Sequence, residues 1–450
     1  MRILGVMLAV VLATGTALAG AGPKAETITI EGKTYSVVPD EALRARGYEL
    51  PDVPRDQNAA FDYLRALEAY WEPEGLTRDD ELWHAIGNWR WSGKAGPQVR
   101  EYLEENRKAL ALIEAAASKP QCHFPFLLEE GQTLGEDTPL GGLMLPYLGK
   151  IRGLTRFLVV EGKAREFEGR TADALDAYML ALRIGGHVAQ DPFLISGLLG
   201  IACTEIGRRP IEQCLLRHEL DEETLAQAQT CAFEIGKGRP DVRIGLGGES
   251  VFSTDAVERI IRDPDIVMNF FEELPTAEQK AWIARLKTKE GQEELRREAR
   301  AFWDEMEKQL ELPFAEFVAT LEEVGKGASS KRRSPIMEQV MESVERGRIQ
   351  YGRADLSWNV LDVMFALARH KAKHGAYPET LEEAKGLMLS DGTDPYTGKG
   401  LKYRLEEDGS FTIWSVGENL KDGGGKVETK HDPWRGGDYV WNSRVLAGMK

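Results

Sequence analysis

The order of apolar and polar positions divides the chain into a short extended start, a long helical region and a mixed C-terminal part. Apolar and polar residues alternate over residues 25–40, which predicts a small β-hairpin. From Gln57 onward the apolar positions recur every three or four residues, the spacing of one helix face. The first such stripe consists of Ala60, Tyr63, Leu64, Leu67 and Tyr70. The pattern therefore predicts an extended segment over residues 20–56 and a helical domain over residues 57–235.

One pair of helices is especially clear within this helical domain, over residues 154–186. Thr171 is placed to start the second helix, and Ala174, Tyr178 and Ala181 give it a small–aromatic–small face for close packing. The pair resembles a tetratricopeptide-type hairpin. Only one copy of this hairpin is recognisable in the sequence, and about three are needed for a stable array. We therefore expect a solenoid-like bundle of helical hairpins. Such surfaces bind protein partners or serve as scaffold.

Composition predicts the next region, residues 236–333, to be a Gly-rich loop followed by charged helices. Residues 236–248 are rich in glycine and favour a loop, and residues 254–323 are helical and heavily charged. The segment GLGGES resembles half of a nucleotide-binding loop, but it lacks the full glycine spacing and a Walker lysine, so no phosphate site is predicted. A short basic linker follows at 325–335. The expected core contacts are Trp282, Trp303, Phe314 and Phe317.

The pattern of the last region, residues 334–450, predicts a long helix followed by an antiparallel sheet. It opens with Ser-Pro, a good helix start, and Gly375 is the expected left-handed stop. The apolar stripe of this helix consists of Leu356, Val360, Met364 and Leu367. Two strands, at about 400–405 and 410–415, are joined by an Asp-Gly turn. The whole chain is therefore predicted to be mainly α, with a small α+β C-terminal domain.

Four segments of this last region resemble the C-terminal domain of the major pseudopilin of type II secretion. They are, in order, HGAYPETL, DPYTGKGLKYR, WSVGENLKDGGG and GGDYVW. The resemblance covers residues 354–441, less than a quarter of the chain. In that family the last loop often binds calcium, so the resemblance implies a calcium site at Asn419, Asp422 and Asp438, completed by backbone carbonyls. Calcium takes about six to eight oxygen ligands, although a Gly/Asp loop is also typical of ordinary turns.

The chain departs from the pseudopilin pattern in the position and charge of the matching helix. A pseudopilin begins with a prepilin leader and an unbroken apolar helix. Here the early turns of the helix read MESVERGRIQYGRAD and lie deep in the chain, at residues 341–355. Because a helix of that charge density cannot enter a bilayer, the filament-forming role is not implied. The chain instead resembles exported proteins that join an α-helical N-terminal region to a pseudopilin-like tail.

The first residues predict a secretory signal peptide. Arg2 is followed by an apolar run over residues 3–12, and Ala17-Leu18-Ala19 matches the small-x-small cleavage pattern. The alternative, a membrane anchor, needs about 20 apolar residues, and this run is shorter. We therefore expect residues 1–19 to be removed by cleavage after Ala19, leaving a periplasmic or extracellular protein without stable membrane insertion.

The balance of charges excludes one class of partner. The formal net charge is −16 at pH 7. Binding to nucleic acid depends on Lys and Arg at phosphates, so this balance argues against nucleic acid. A protein partner remains open.

The four cysteines are Cys122, Cys203, Cys214 and Cys231. They form no CxxC motif, which argues against zinc ribbons and thioredoxin-like centres. If a helical hairpin turns near residues 218–221, Cys203 lies about opposite Cys231, and an oxidising compartment would permit a Cys203–Cys231 disulfide. The alternative is four reduced, buried thiols.

No common catalytic motif is present, since GxSxG, HExxH and SxxK are all missing from the sequence. His370 and His374 are four residues apart, which suits zinc on a helix face but equally suits an exposed last turn, where cations favour the helix dipole. A Cys122–His123 dyad is disfavoured, because adjacent residues of an extended chain point in opposite directions.

Two functions of different classes stay open, and the sequence does not decide whether the protein is an enzyme. The first is an extracytoplasmic, non-catalytic scaffold or binding protein with a calcium-stabilised tail. The second is an exported hydrolase of polysaccharide or peptide, with a site near Trp83, Trp89 and Trp91. A pocket lined by those tryptophans and two carboxylates would favour the hydrolase.

Overall fold

The computed structural model is mainly α-helical with small antiparallel sheets, as the sequence predicts. The residues that it describes are 26–30, 32–87, 91–135, 138, 140–266, 277–318, 335–426 and 437–448. The predicted signal peptide and nearly all of the predicted linker at 325–335 lie outside these residues. Across the described part of the chain, no helix combines the length and apolar composition needed to cross a bilayer.

The first elements form a small antiparallel sheet with strand order β1-β2-β3. The strands are β1, Thr27–Ile30; β2, Lys33–Val37; and β3, Leu127–Glu129. β1 and β2 pair along their length, which confirms the predicted hairpin. The sequence pattern does not predict β3, whose Leu128 lies opposite Ser36 of β2. This pairing joins the N-terminal hairpin to the helical domain.

Five short helices follow β2. They are α1, Asp40–Ala45; α2, Ala60–Ala69; α3, Glu81–Gly87; α4, Pro97–Glu105; and α5, Arg107–Ala117. The predicted stripe on α2 is confirmed, since its α2 residues are buried in one hydrophobic core and Tyr70 packs against that core.

Four longer helices form the centre of the molecule as two hairpins. They are α6, Leu148–Phe167; α7, Thr171–Val188; α8, Leu194–Arg217; and α9, Glu222–Gly236. The predicted α6–α7 hairpin is confirmed, with Thr171 as the first residue of α7. The Tyr178 ring lies against Gly162, where an added Cβ would overlap it, so glycine permits this close approach. The second hairpin turns as expected, and the Asp221 carboxylate caps α9 by accepting the Thr224 N–H at 2.8 Å.

The predicted Gly-rich loop at 236–248 is wrong over most of its length. Helix α10 spans Val242–Arg262, so the GLGGES segment is helical. A Cβ on Gly248 would overlap the carbonyl oxygen of Pro192, just before α8. Glycine therefore serves close packing here, a use that composition does not distinguish from a turn. Two charged helices follow, α11, Ala277–Leu286, and α12, Lys289–Glu311.

The C-terminal module consists of one long helix, short strands and two short helices. They are α13, Pro335–His374; α14, Leu381–Ala384; β4, Thr393–Asp394; β5, Lys399–Gly400; β6, Lys402–Leu405; β7, Phe411–Ser415; β8, Tyr439–Asn442; and α15, Ser443–Leu446. Gly375 ends α13 with φ +81°, and the predicted stripe of α13 is buried. β6 and β7 confirm the predicted hairpin, and β8 pairs with the other edge of β7.

The C-terminal module shares its core with the helical domain. One hydrophobic cluster contains residues of α7, α8 and α9 together with residues of α13 and the β6-β7-β8 sheet. Its fully buried members include Tyr178, Ile211, Leu361, Ile413 and Trp441. The C-terminal module is therefore packed into the molecule through α13 and the β6-β7-β8 sheet.

The predicted Cys203–Cys231 disulfide is wrong, because all four cysteines are unpaired. Cys203 is fully buried on α8, whereas Cys231 is exposed on α9. Cys122 and Cys214 are buried, so the alternative of reduced thiols holds with one thiol at the surface.

Candidate functional site

A cleft of about 560 Å³ lies where the C-terminal module meets the helical domain. One wall is the C-terminal half of α9 and the residues just after it. The opposite wall is α13 from Asp355 to Phe365, and residues 389–395 form a third side. Small-molecule sites typically have volumes of about 300–1,000 Å³. The size and position make this cleft the candidate functional site.

The floor of the cleft is apolar and aromatic. Trp358, Leu361 and Phe365 lie three and four residues apart on α13 and so share one helix face. Trp358 is only 6% exposed, and its ring packs 3.2 Å from where a Cβ on Gly236 would lie. Its indole N–H has no acceptor among the described residues. Phe233, partly buried, adds a second aromatic ring from α9.

Hydrogen bonds from α13 fix the third side of the cleft. The buried Asp362 carboxylate accepts the side-chain N–H of Gln229 at 2.6 Å and the backbone N–H of Ser390 at 2.7 Å. The Asn359 side chain donates to the carbonyl oxygen of Thr393 at 2.7 Å. Three segments distant in sequence are thereby held together, so the cleft is preformed.

The rim of the cleft carries both signs of charge. Arg239 Nε lies 3.0 Å from Asp355 Oδ1 and joins the two helical walls, and Lys237 Nζ lies 2.6 Å from Glu234 Oε1. Desolvation at the wall raises the pKa of Asp355, and the Arg239 guanidinium partly offsets that rise. Asp391 is exposed at the mouth, and within the described residues it has no cationic partner.

The three residues of the predicted calcium site lie in one region, in the loop after β7 and just before β8. Asp438 is 7% exposed, and its two carboxylate oxygens accept the backbone N–H groups of Gly423 at 2.9 Å and Gly425 at 2.8 Å. Asn419 Oδ1 accepts the N–H of Lys421 at 2.9 Å. Both side chains already order the loop through its own amides.

Asp422 has competing partners at the same site. Its Oδ1 accepts the Trp414 indole N–H at 3.0 Å, and hydrogen bonds of this kind lower the pKa of its carboxyl. Lys402 Nζ lies 3.4 Å from Asp422 Oδ2, in a position where a cation would bind. Within the described residues, no three His, Cys, Asp or Glu side chains are close enough to hold a metal ion. The residues therefore suit calcium in part, and backbone carbonyls or water would have to complete its shell.

The two histidines with zinc-like spacing do share one helix face. The ring centres of His370 and His374 are 4.4 Å apart, and His370 Nδ1 lies 3.1 Å from the carbonyl oxygen of Ala376. No third metal-ligating side chain joins them among the described residues.

The tryptophans proposed for a hydrolase site have separate environments. Trp83 is 37% exposed on α3 and contacts His84 edge-on. Trp91 packs against the first hydrophobic core, and its carbonyl oxygen accepts a hydrogen bond from Lys163. Trp89 lies outside the described residues. The cleft between α9 and α13 is lined by none of them.

His123 belongs to a buried polar network that sequence reasoning missed. Its Nε2 lies 3.4 Å from Asp40 Oδ1, and its Nδ1 lies 3.9 Å from Asp191 Oδ1. The Tyr147 hydroxyl donates to Asp191 at 2.8 Å, and burial raises the pKa of Asp191 to about 6. Burial also raises the pKa of the Cys122 thiol, which argues against a reactive Cys–His pair.

Sequence reasoning also missed the cleft residues. Trp358 and Phe233 lie on ordinary amphipathic helices, so only the packing of α9 against α13 brings them together. The one available signal is an aromatic residue, Trp358, flanked by Asp355 and Asp362 on the same helix face. No family model, curated protein or solved structure matches the chain.

Proposed function

We propose that this protein is a non-catalytic, extracytoplasmic binding protein whose ligand occupies the cleft between α9 and α13. The observation that carries the proposal is a preformed cleft with an aromatic floor and a polar rim, the usual composition of ligand sites. The extracytoplasmic location rests on the leader sequence alone.

The arrangement of the cleft carboxylates favours binding over hydrolysis. Asp355 is paired with Arg239, and Asp362 accepts several hydrogen bonds that position residues 389 and 390. A glycosidase needs one carboxyl as general acid and another as base or nucleophile on the two sides of the scissile bond. Here both carboxylates already hold parts of the cleft together, and Asp362 is buried. The alternative is an exported hydrolase, and turnover of glycosides or peptides distinguishes it from a binding protein.

The C-terminal module fits this proposal as the wall of the site. In our proposal the pseudopilin-like region contributes α13 and residues 389–395 to the cleft, and calcium stiffens its last loop at Asn419, Asp422 and Asp438. A protein partner can bind such a cleft by inserting a single side chain into it.

The experiment is a ligand-observed NMR screen of small aromatic and aliphatic compounds against the purified protein. We expect to find compounds that bind the wild-type protein and Phe167→Ala. These compounds should not bind Phe233→Ala, which removes an aromatic ring from one wall of the cleft. Phe167 is a matched control because it is 54% exposed at the end of α6, away from the cleft. The same samples, incubated with chromogenic glycosides and peptides, should show no turnover.

Two results would contradict the proposal. One is that Phe233→Ala weakens the binding of none of the compounds, which would place binding elsewhere. The other is turnover of a glycoside or peptide that depends on cleft carboxylates, which would favour the hydrolase.

A further inference from the structure

We infer that the cleft selects a cationic amphipathic ligand, in which an ammonium or guanidinium group is attached to an apolar or aromatic body. This inference rests on the proposed binding function and adds the chemical class of the ligand. The charges that line the cleft, and their positions relative to its aromatic residues, support it.

The apolar body of the ligand has a defined place. Trp358, Leu361 and Phe365 form a continuous floor, and Phe233 stands beside them on α9. Leu389 is 40% exposed at the mouth, which is unusual for a large apolar residue on this molecule. Because Trp358, Leu361 and Phe365 are buried, the apolar surface that a ligand can cover belongs mainly to Phe233 and Leu389, and its burial would favour binding in proportion to the area covered.

The cations that line the cleft are already neutralised. Arg239 is paired with Asp355 across the walls, and Lys237 is paired with Glu234. Lys237 Nζ also lies 5.4 Å from the centre of the Phe233 ring, where it interacts with the ring face. An anionic ligand would have to compete with Asp355 or Glu234 for these cations.

Two lining carboxylates are not neutralised by any described cation. Asp362 accepts hydrogen bonds from neutral N–H and O–H groups only, and it is buried. Asp391 accepts the backbone N–H of Thr393 at 3.0 Å and is otherwise exposed at the mouth. The described lining therefore carries excess negative charge, and Asp391 is the carboxylate that a ligand can reach.

The end of α9 adds no further preference to that of Asp391. Gly236, the last residue of α9, lines the cleft, so the carbonyl end of a 15-residue helix lies at the site. The C-terminal end of a helix dipole is negative, but Lys237 and Arg239 already complement it, and the carbonyl oxygens of residues 233–236 accept the N–H groups of residues 237–239. The ligand would place its apolar body against Phe233 and Leu389 and its cation at Asp391.

The test compares three probes that share a phenylethyl body, namely 2-phenylethylamine, 3-phenylpropionate and 2-phenylethanol. Binding to the purified protein is measured at low salt by calorimetry or ligand-observed NMR. Attraction for the amine and repulsion of the carboxylate together should make the amine bind about tenfold tighter than the carboxylate.

Variants assign the preference to particular side chains. Asp391→Asn keeps the acceptor for Thr393 and should lower amine affinity about threefold to tenfold while leaving 2-phenylethanol unchanged. Asp79→Asn is the matched control, since Asp79 is exposed on the distant loop before α3. Phe233→Ala should weaken all three probes. Circular dichroism checks that each variant is folded.

The outcomes separate this inference from the proposed function. Equal binding of the three probes, lost in Phe233→Ala, would overturn the cationic preference and leave the binding function standing. Probes that bind only outside the cleft would overturn both.

The source of the cation is decided by a further pair of probes, acetyl-Phe-Lys-amide and acetyl-Phe-Glu-amide. If the Lys peptide binds more tightly than 2-phenylethylamine, the ligand is a basic peptide segment. If it binds more weakly, the ligand is a small amine, and both results support the inference. Tighter binding of the Glu peptide would contradict it.

Discussion

Glu249 lies where α10 passes the start of α8, and its carboxylate accepts the backbone N–H of Leu194 at 3.3 Å. Burial raises the pKa of Glu249 from 4.5 to about 7. Between those pH values the folded protein holds a proton that the unfolded chain has released. Stability must therefore fall as pH rises through this range. Asp191, whose pKa burial raises from 3.8 to about 6, acts in the same direction.

We predict that Glu249→Gln removes much of this pH dependence. Glutamine keeps the acceptor for the Leu194 N–H but cannot ionise, so the variant should melt at a higher temperature than the wild type at pH 7.5. The free-energy difference should be on the order of 2 kcal/mol and should shrink toward pH 5. Calorimetry across this range measures it. Glu101→Gln, at an exposed position of α4, is the control. Equal pH slopes in wild type and Glu249→Gln would contradict the assignment.

Substitutions of Asp422 and Lys402 should have opposite effects on how much calcium stabilises the protein. If calcium binds the loop, the melting temperature should rise with free calcium by mass action, and Asp422→Ala should abolish that rise. Lys402→Met should enlarge it, because it removes an ammonium that lies 3.4 Å from Asp422 Oδ2. Scanning calorimetry with calcium, and with magnesium at equal ionic strength, makes the comparison. A melting temperature that calcium leaves unchanged in both wild type and Lys402→Met would end the proposal.

At the scale of elements, substitution of two neighbouring glycines of α10 by alanine should have opposite effects on stability. A Cβ on Gly248 would overlap the backbone carbonyl oxygen of Pro192, which cannot move aside easily, whereas a Cβ on Gly247 meets open space. Alanine is favoured over glycine in a helix by about 1 kcal/mol. We therefore predict that Gly247→Ala stabilises the protein slightly and that Gly248→Ala destabilises it by several times that amount. Chemical denaturation of both variants tests the prediction, and equal effects would contradict the packing of α10 on α8.

The elements that the sequence predicts correctly carry their signals within a few residues. Pro335 and Gly375 bound α13, and Thr171 begins α7, because capping and turn preferences act locally. β3 and β8 are missed because each is defined by pairing with a strand far away in the chain. Only the first half of α10 is missed, because its glycines pack against Pro192 and Leu194, which lie far away in the sequence.

The candidate site is less predictable than the elements, for the same reason. Asn419 and Asp422 follow β7, and Asp438 comes just before β8, so the pairing of β7 with β8 brings the two segments to one end of the sheet. The cleft depends on the hydrogen bond from Gln229 to Asp362, which joins α9 to α13 across a long stretch of sequence. No periodicity within either helix specifies that contact.

At the scale of the whole molecule, α13 connects the C-terminal sheet to the helical hairpins. Arg369 Nη2 lies 2.6 Å from Glu222 Oε1 at the start of α9, and the same guanidinium donates to Gln229 Oε1 at 2.8 Å. The buried residues of α13 and the β6-β7-β8 sheet join a core that includes α7 and α8. Excision of the module would therefore expose apolar surface that is covered in the intact chain.

We predict from this shared core that residues 335–450 do not fold as an independent domain. The isolated fragment would lose the packing of Leu361 and its neighbours against α8 and α9, and large losses of buried apolar area are not recovered by local hydrogen bonds. Calorimetry and near-ultraviolet circular dichroism of the fragment should show no cooperative transition. In the intact protein, Ile211→Ala on α8 should destabilise the C-terminal sheet together with the helices, by about 2–5 kcal/mol. A fragment that melts cooperatively near the temperature of the intact protein would show instead that the module carries a sufficient core of its own, and the cleft would then be an interface between two separable domains.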